Sequence, residues 1–422
     1  MSSFDKIIGY SAIKKELLGI CDMLNNKSVY EALGAKLPQG ILLYGNPGLG
    51  KTLMAKCFLE ECNLERFTIR RNKSENDFVS EITGTFRRAK EQAPSIVFLD
   101  DIDKFANEDY DHKDAGEYVA IQAGIDEVKD QEVFIIATAN DIRRMPDSLL
   151  RAGRFDRKIN VQIPGRQDAI DIIKHYLSQK TVSDDVNMED LSRMFRYNSC
   201  AELESIINEA SIIAGSRRKK EVEMEDLVAA VLRSQYDSPD EFDRISMEEI
   251  TETALHEAGH VVVSEALVSR SVGLVSIRAD GRNDKNGFVY NCERFTKLSQ
   301  RVCTALAGKA AVELYYAETS AVGCQGDLEK AAELIKMGIT SNANLGIGML
   351  SVAGGSFYDA SESFNARNES VVQAEMERLM LVTKDVLLKN RVFLEKLRDK
   401  LVEKETLLYS DIQRIKEECE VA

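Results

Sequence analysis

GILLYGNPGLGKTLMAKCFLEE, residues 40–61, decides the fold of the first half of this chain. Gly40 to Tyr44 is an apolar run of strand length, and Thr52 opens a stretch of helical character. Between them Gly45, Asn46, Pro47, Gly48, Leu49, Gly50, Lys51 and Thr52 spell a complete G-x-x-x-x-G-K-[ST] loop. Small residues there let successive backbone N–H groups wrap phosphate oxygens, and the following helix adds the positive end of its dipole. Lys51 is placed to reach the β- and γ-phosphates and the Thr52 hydroxyl to take a position on Mg²⁺, with Leu53 closing the set. A strand before and a helix after distinguish this loop from an incidental Gly-rich turn, so the chain is expected to bind ATP with Mg²⁺.

Working outward, Arg66 to Arg70, Ser95 to Leu99, Val133 to Thr138 and Lys158 to Ile163 are further apolar runs of strand length, with helical periodicity between them. That alternation predicts an α/β domain, a mostly parallel sheet with helices on both faces, over residues 1–164. Ile96 to Asp103, IVFLDDID, ends in carboxylates. At the carboxyl edge of a parallel sheet such acids face the phosphate loop, which makes Asp100 the candidate for Mg²⁺ and Asp101 the candidate for polarising the attacking water. From Gly165 the strands stop: Gln167 to Lys180, Met188 to Phe195, Ala201 to Arg217 and Met224 to Leu232 predict a helical lid over 165–233. The polar stretch SQYDSPDE, Ser234 to Glu241, suits a linker, taken as 234–244. Residues 245–422 are expected to be mainly α-helical, with a hairpin over Val272 to Asn291, helices after Leu298 and a Gly-rich loop over Gly346 to Ser356.

Composition narrows the partners. The chain has 422 residues, 44% of them hydrophobic and 30% charged, with only 6 prolines, which suits two or three folded domains. A formal charge of -15 disfavours phosphate backbones, so no nucleic-acid partner is expected. The basic run Arg217 to Lys220 is short and set among acids, as at a solvated helix end. Eight cysteines without a C-x-x-C pair predict reduced thiols. MSSFDKIIGY has neither the cationic nor the apolar region of a secretory signal, and no apolar run approaches the ~20 residues needed to cross a bilayer. A cytoplasmic chain with no membrane span is the expectation.

The second chemical motif is HEAGH, His256 to His260, inside MEEITETALHEAGHVVVSEAL. Residues four apart share a helix face, so both imidazoles address one metal, and Glu257 stands beside them as a general base. Two imidazoles suit Zn²⁺. The chain has only 4 histidines, and the other two, His112 and His175, lack ligand spacing and read as surface residues. A catalytic zinc needs a third protein ligand. Asp327 in GDLEKAAELIKMGI is open to that role or to that of a plain helix cap, with Glu313 and Glu318 as rivals.

The chain resembles the AAA+ superfamily in VFIIATAN, Val133 to Asn140, and in PDSLLRAGRFDR, Pro146 to Arg157. The first is similar to a sensor strand, with Asn140 orienting the hydrolytic water. The second is similar to the arginine-finger region, so Arg151 and Arg154 are implied to reach the γ-phosphate held by a neighbouring subunit of a homohexameric ring. P-loop, LLRAGRFDR and HEAGH in this order resemble the FtsH family of ATP-dependent zinc proteases. The likeness runs from Phe4 to about Glu418 and includes GAKLPQGILLYGNPG, INEASIIAG, TALHEAGHVVV and LAGKAAVEL. It implies that the third zinc ligand is Asp327, in CQGDLEKA. It also implies N-terminal membrane spans, which this chain, beginning directly at the motor, does not display.

There are departures from the family pattern. Asp100-Asp101 stands where Asp-Glu is usual, the segment after Phe78-Val79 is shorter, and Ser80 replaces the glycine of an aromatic pore loop. Phe78 reads equally as a pore residue or a core aromatic. The expectation is an ATP-dependent zinc metalloendopeptidase that translocates unfolded or tagged polypeptides and cleaves them with a zinc-bound water. The alternative is a remodelling or regulatory ATPase with slow hydrolysis and a mainly structural peptidase domain.

Overall fold

The structure is a computed structural model that describes residues 2–71, 75–106, 115–238, 246–279, 281–282, 286–316, 321–340 and 362–420. His112, Pro239, Glu318 and the Gly346 to Ser356 loop lie outside the described residues. The chain divides into two compact units: Met1–Thr181 with Tyr197–Asn208, and Val182–Arg196 with Glu209–Ala422.

The first unit opens with α1 (Ser11–Asn25) and α2 (Lys27–Ala32) and continues as β1 (Gly40–Tyr44), α3 (Lys51–Cys62), β2 (Glu65–Ile69), α4 (Glu75–Glu91), β3 (Ser95–Leu99), α5 (Ala115–Glu127), β4 (Val133–Ala139), β5 (Arg157–Asn160) and α6 (Arg166–Leu177). The strands form one parallel sheet in the order β2-β3-β4-β1-β5. Parallel neighbours need crossovers, and the helices supplying them cover the faces, so the central strands are mostly apolar. All seven residues of β4 and all five of β3 are buried. The edge strands β2 and β5 carry exposed charged residues, which discourages pairing with another sheet. Phe78 is fully buried and meets Phe105 edge to face at 5.3 Å, so here it is a core aromatic. The order places the ends of β1, β3 and β4 side by side at the carboxyl edge, and the P-loop, Asp100-Asp101 and Asn140 follow those three strands.

The remaining elements are α7 (Met188–Met194), α8 (Cys200–Ser216), α9 (Met224–Tyr236), α10 (Met247–Leu267), β6 (Val272–Ser276), β7 (Phe288–Asn291), α11 (Leu298–Glu313), α12 (Ala321–Thr340), α13 (Glu362–Lys389), α14 (Arg391–Lys404), β8 (Thr406–Leu408) and α15 (Tyr409–Glu420). Helix α9 runs on through Ser234 to Tyr236, residues whose polarity suggested a linker. Its buried Leu227, Ala230, Val231 and Leu232 hold the helix beyond the last apolar position legible in the sequence.

Helix α10 is the centre of the second unit. The Ser246 hydroxyl caps it by accepting from Glu249 N–H at 3.1 Å, and Glu248 and Glu249 complement the dipole of the first turn. It crosses α11 closely enough that a Cβ added at Gly259 would lie 2.5 Å from Ala311 Cβ and 2.7 Å from the Ala307 carbonyl oxygen. The expected β6–β7 hairpin is present, but β6 is also paired on its other side with β8, giving an antiparallel sheet in the order β7-β6-β8. The sequence predicts helix over Thr406 to Leu408, where the structure has a strand; three residues between two helices are too few to show alternation.

Candidate active sites: a nucleotide pocket and a metal centre

The P-loop bends through three glycines of positive φ, Gly45 at 146°, Gly48 at 77° and Gly50 at 83°. The first also lets the strand pass β5, since an added Cβ would lie 2.1 Å from the Val161 carbonyl oxygen. Helix α3 starts directly at Lys51, so its unpaired first-turn N–H groups open onto the loop. The buried Lys51 ammonium donates to the carbonyls of Gly45 (2.8 Å) and Asn46 (2.7 Å) and to Asn140 Oδ1 (2.9 Å). Burial lowers its pKa, while Asp101, Asp103 and Asp100 act in the opposite direction.

Asp100 Oδ1 accepts from the hydroxyls of Thr52 (3.0 Å) and Thr138 (2.9 Å). A hydroxyl and a carboxylate this close are the hard oxygen donors that Mg²⁺ takes alongside phosphate and water, so the pair fits that ion. Asp101 takes the left-handed conformation, φ 56°, and its N–H donates to Thr138 Oγ1 at 2.9 Å. Its carboxylate accepts from Asn140 Nδ2 at 3.4 Å and pairs with Lys104 at 2.6 Å. Asn140 therefore joins Lys51 to Asp101. Thr138, which joins Asp100 to the Asp101 backbone, was missed in the sequence; the hydroxyl residue at the end of an otherwise apolar β4 was its only signal. Arg151 is exposed, whereas Arg154 makes a two-pronged ion pair with Asp126 and donates to the Ser148 carbonyl.

The metal centre joins α10 to the first turns of α12. His256 Nε2, His260 Nε2 and Asp327 Oδ2 converge, with separations of 3.1 Å between the imidazoles and 3.1 and 3.0 Å from each to the carboxylate. Among the described residues these are the group of metal-ligating side chains that meet in this way. Ligands 2.0–2.1 Å from a tetrahedral zinc stand about 3.3 Å apart, so the set fits Zn²⁺ in both chemistry and spacing. His260 Nδ1 lies 2.7 Å from the Thr304 carbonyl; a proton held there leaves the Nε2 lone pair for metal. Burial opposes charge on His256, but hydrogen bonding to Asp327 prevails and raises its pKa to about 10. Burial would raise the Asp327 pKa, and the two imidazoles hold it well below the usual carboxylate range instead. Glu313, a rival for third ligand, is engaged by Lys309 and Lys384 at 2.7 Å each. His175 is exposed on α6.

Glu257 is 5% exposed beside the ligands. Two glycines outside the motif shape this region. A Cβ at Gly308 would lie 2.3 Å from the His256 ring, and one at Gly287 would lie 2.7 Å from Glu257 Oε1. Neither was singled out for the site in the sequence, where a lone glycine shows no partner; Gly308 sits within the small-residue run AGKAA and Gly287 was read as a turn.

Residues 41–163 match the family "ATPase family associated with various cellular activities (AAA)", and residues 243–415 match "Peptidase family M41". Two similar proteins are the ATP-dependent zinc metalloprotease FtsH 3 of Symbiobacterium thermophilum and the ATP-dependent zinc metalloprotease FtsH of Helicobacter pylori. Each is 30% identical over 99% of this chain and 71% of its own length. The FtsH of a Synechococcus strain is 29% identical over 99% of the chain and 70% of its own length. Among the described residues no helix is long and apolar enough to cross a membrane. With a phosphate loop in an AAA domain and a two-histidine, one-aspartate metal centre in an M41 domain, the chain belongs to the FtsH family of ATP-dependent zinc metalloproteases, whose cofactors are Zn²⁺ and ATP with Mg²⁺.

Proposed function

We propose that this chain assembles as a homohexamer, pulls unfolded or tagged polypeptides with its AAA motor, and cleaves them at the HEAGH centre. The observation that carries this is the meeting of His256, His260 and Asp327 beside buried Glu257, in a chain whose P-loop lysine is already bonded to Asn140. His256, His260 and Asp327 would hold zinc, which when bound supplies the Lewis acidity that makes water a nucleophile near neutral pH. Glu257 takes the proton from the attacking water and passes it to the leaving amine. In the motor, Lys51 and the loop N–H groups hold phosphate, Thr52 and Asp100 hold Mg²⁺, and Asp101 and Asn140 orient the attacking water. Arg151 and Arg154 serve a neighbouring subunit's nucleotide. The divisions 1–164, 165–233, 234–244 and 245–422 remain our assignment of motor, lid, linker and peptidase. Eight free cysteines support a reducing, cytoplasmic setting.

ATPase activity and casein cleavage, measured side by side with and without nucleotide, test the proposal. Cleavage that needs ATP in the wild type and is abolished in Glu257→Gln, with ATPase intact, is the expected result. ATPase without any cleavage would favour the remodelling alternative.

A further inference from the structure

The β6–β7 hairpin is tied to the C-terminal end of α9 at three points. The ring of Tyr236, the last residue of α9, stacks on that of Phe288, the first of β7, with centroids 3.7 Å apart and planes 15° from parallel. Arg282 Nη2 donates to the Ser234 carbonyl. Gly281 lies so near Asp237 that an added Cβ would be 2.7 Å from the Asp237 carbonyl oxygen. The helix end that makes these contacts is itself fixed. Asp237 turns left-handed at φ 49°, and the N–H groups of Asp237 and Ser238 donate back to Arg233 and Leu232, each at 3.2 Å.

Immediately before Phe288 is buried Gly287, whose backbone forms a wall against the base: an added Cβ would lie 2.7 Å from Glu257 Oε1 and 2.8 Å from Glu257 Cγ. Strand β7 stands at the edge of its sheet and, among the described residues, pairs with β6 alone, so its position responds to what grips its flank. The route from α9 to the catalytic carboxylate is then short: Tyr236, Phe288, Gly287, Glu257.

We propose that Tyr236 is a positioning residue for the peptidase reaction, setting the Gly287 backbone through Phe288 and so the direction in which Glu257 points. The inference rests on Glu257 being the base. It ties cleavage chemistry to the end of a helix that the sequence places in the motor's lid. A misplacement of about 1 Å in a reacting group costs about 100-fold in rate, so partial release of this wall is expected to cost about tenfold.

The experiment uses the full chain with ATP and a short fluorogenic peptide, which needs no unfolding. In Tyr236→Ala, kcat falls about tenfold while KM, zinc content and ATPase rate stay at wild-type values. Tyr236→Phe, which keeps the stacked ring, restores kcat. Adding Phe288→Ala to Tyr236→Ala brings no further loss, because the two act along one route. An unchanged kcat in Tyr236→Ala, an equal loss in Tyr236→Phe, or a loss of zinc would each overturn the inference. If Tyr236→Ala does not assemble, Tyr236→Leu is read by the same criteria. Glu257→Gln separates the two levels. Retained cleavage in that variant refutes the base itself, whereas an inactive Glu257→Gln beside an unaffected Tyr236→Ala refutes only the positioning role.

Discussion

Arg154 clasps Asp126 with two parallel bonds, Nε to Oδ1 at 3.0 Å and Nη2 to Oδ2 at 2.8 Å. The Asp126 side chain is half exposed, at 51%, while that of Arg154 is 16% exposed, so the arginine is held in place from its own subunit. Service as a finger for a neighbouring subunit's nucleotide, as proposed above, requires this clasp to open. Arg154→Ala and Arg151→Ala are expected to keep ATP binding and to lose hydrolysis, by up to about 10³-fold. Mixing either variant with Lys51→Ala subunits restores part of the turnover, since each supplies the half-site the other lacks. Full ATPase activity from a diluted monomer would refute trans-acting fingers.

Asp101 offers a second test. Its carboxylate is held by Lys104 at 2.6 Å, and its side chain is one methylene shorter than the Glu that the family resemblance implies there. A water-orienting carboxylate acts only within about 2.6–3.2 Å of the proton it accepts. Asp101→Glu is accordingly expected to raise the ATPase rate at saturating ATP and matched assembly state. A fall, or no change, would show that Asp101 is already well placed.

Metal removal separates the two engines. Treatment with a zinc-selective chelator in the presence of excess Mg²⁺ should abolish peptide cleavage and leave ATPase activity in place, and added Zn²⁺ should restore cleavage. Asp327→Ala should lose zinc, as read by metal analysis. Gly308→Ala should weaken zinc binding by about 10–100-fold, because the new methyl occupies the space of the His256 ring 2.3 Å away. Wild-type zinc content in Asp327→Ala would remove it from the ligand set.

Phe78 provides a stability test. A fully buried phenylalanine replaced by alanine costs about 3–5 kcal/mol, whereas a solvent-facing pore residue costs almost nothing. Phe78→Ala should therefore lower the melting temperature of the motor unit by several degrees or more. Unchanged melting with impaired degradation of folded substrates would assign it to the pore after all.

Legibility in the sequence followed the reach of each signal. The P-loop and HEAGH could be read because their chemistry requires residues at fixed short spacings, four apart on a helix or consecutive around a turn. The central strands β1, β3 and β4 showed themselves because burial on both faces makes a nearly continuous apolar run. Strands β2 and β5, expected to be buried like them, are mostly exposed because they stand at the sheet's edges. Asp327 lies 67 residues beyond His260, and no local pattern distinguishes it from a helix cap; resemblance to a family made that link. Gly287, Gly308 and Thr138 escaped because their role is to leave space or to pass on a hydrogen bond, which appears only when distant segments meet. Helix α9 runs past Leu232 to Tyr236 because Tyr236 packs on Phe288, a contact with a distant segment that polar composition does not show.

Strand β8 gives the molecule an order of completion in time. Synthesis runs from the N-terminus, so His256, His260 and Asp327 are all made before Thr406 to Leu408, the strand that covers the free edge of β6. Until then β6 offers an unpaired row of backbone groups, and the hairpin whose Gly287 rests on Glu257 has its partner on one side only. A chain that stops short of β8 therefore carries His256, His260 and Asp327 with the far edge of β6 still uncovered.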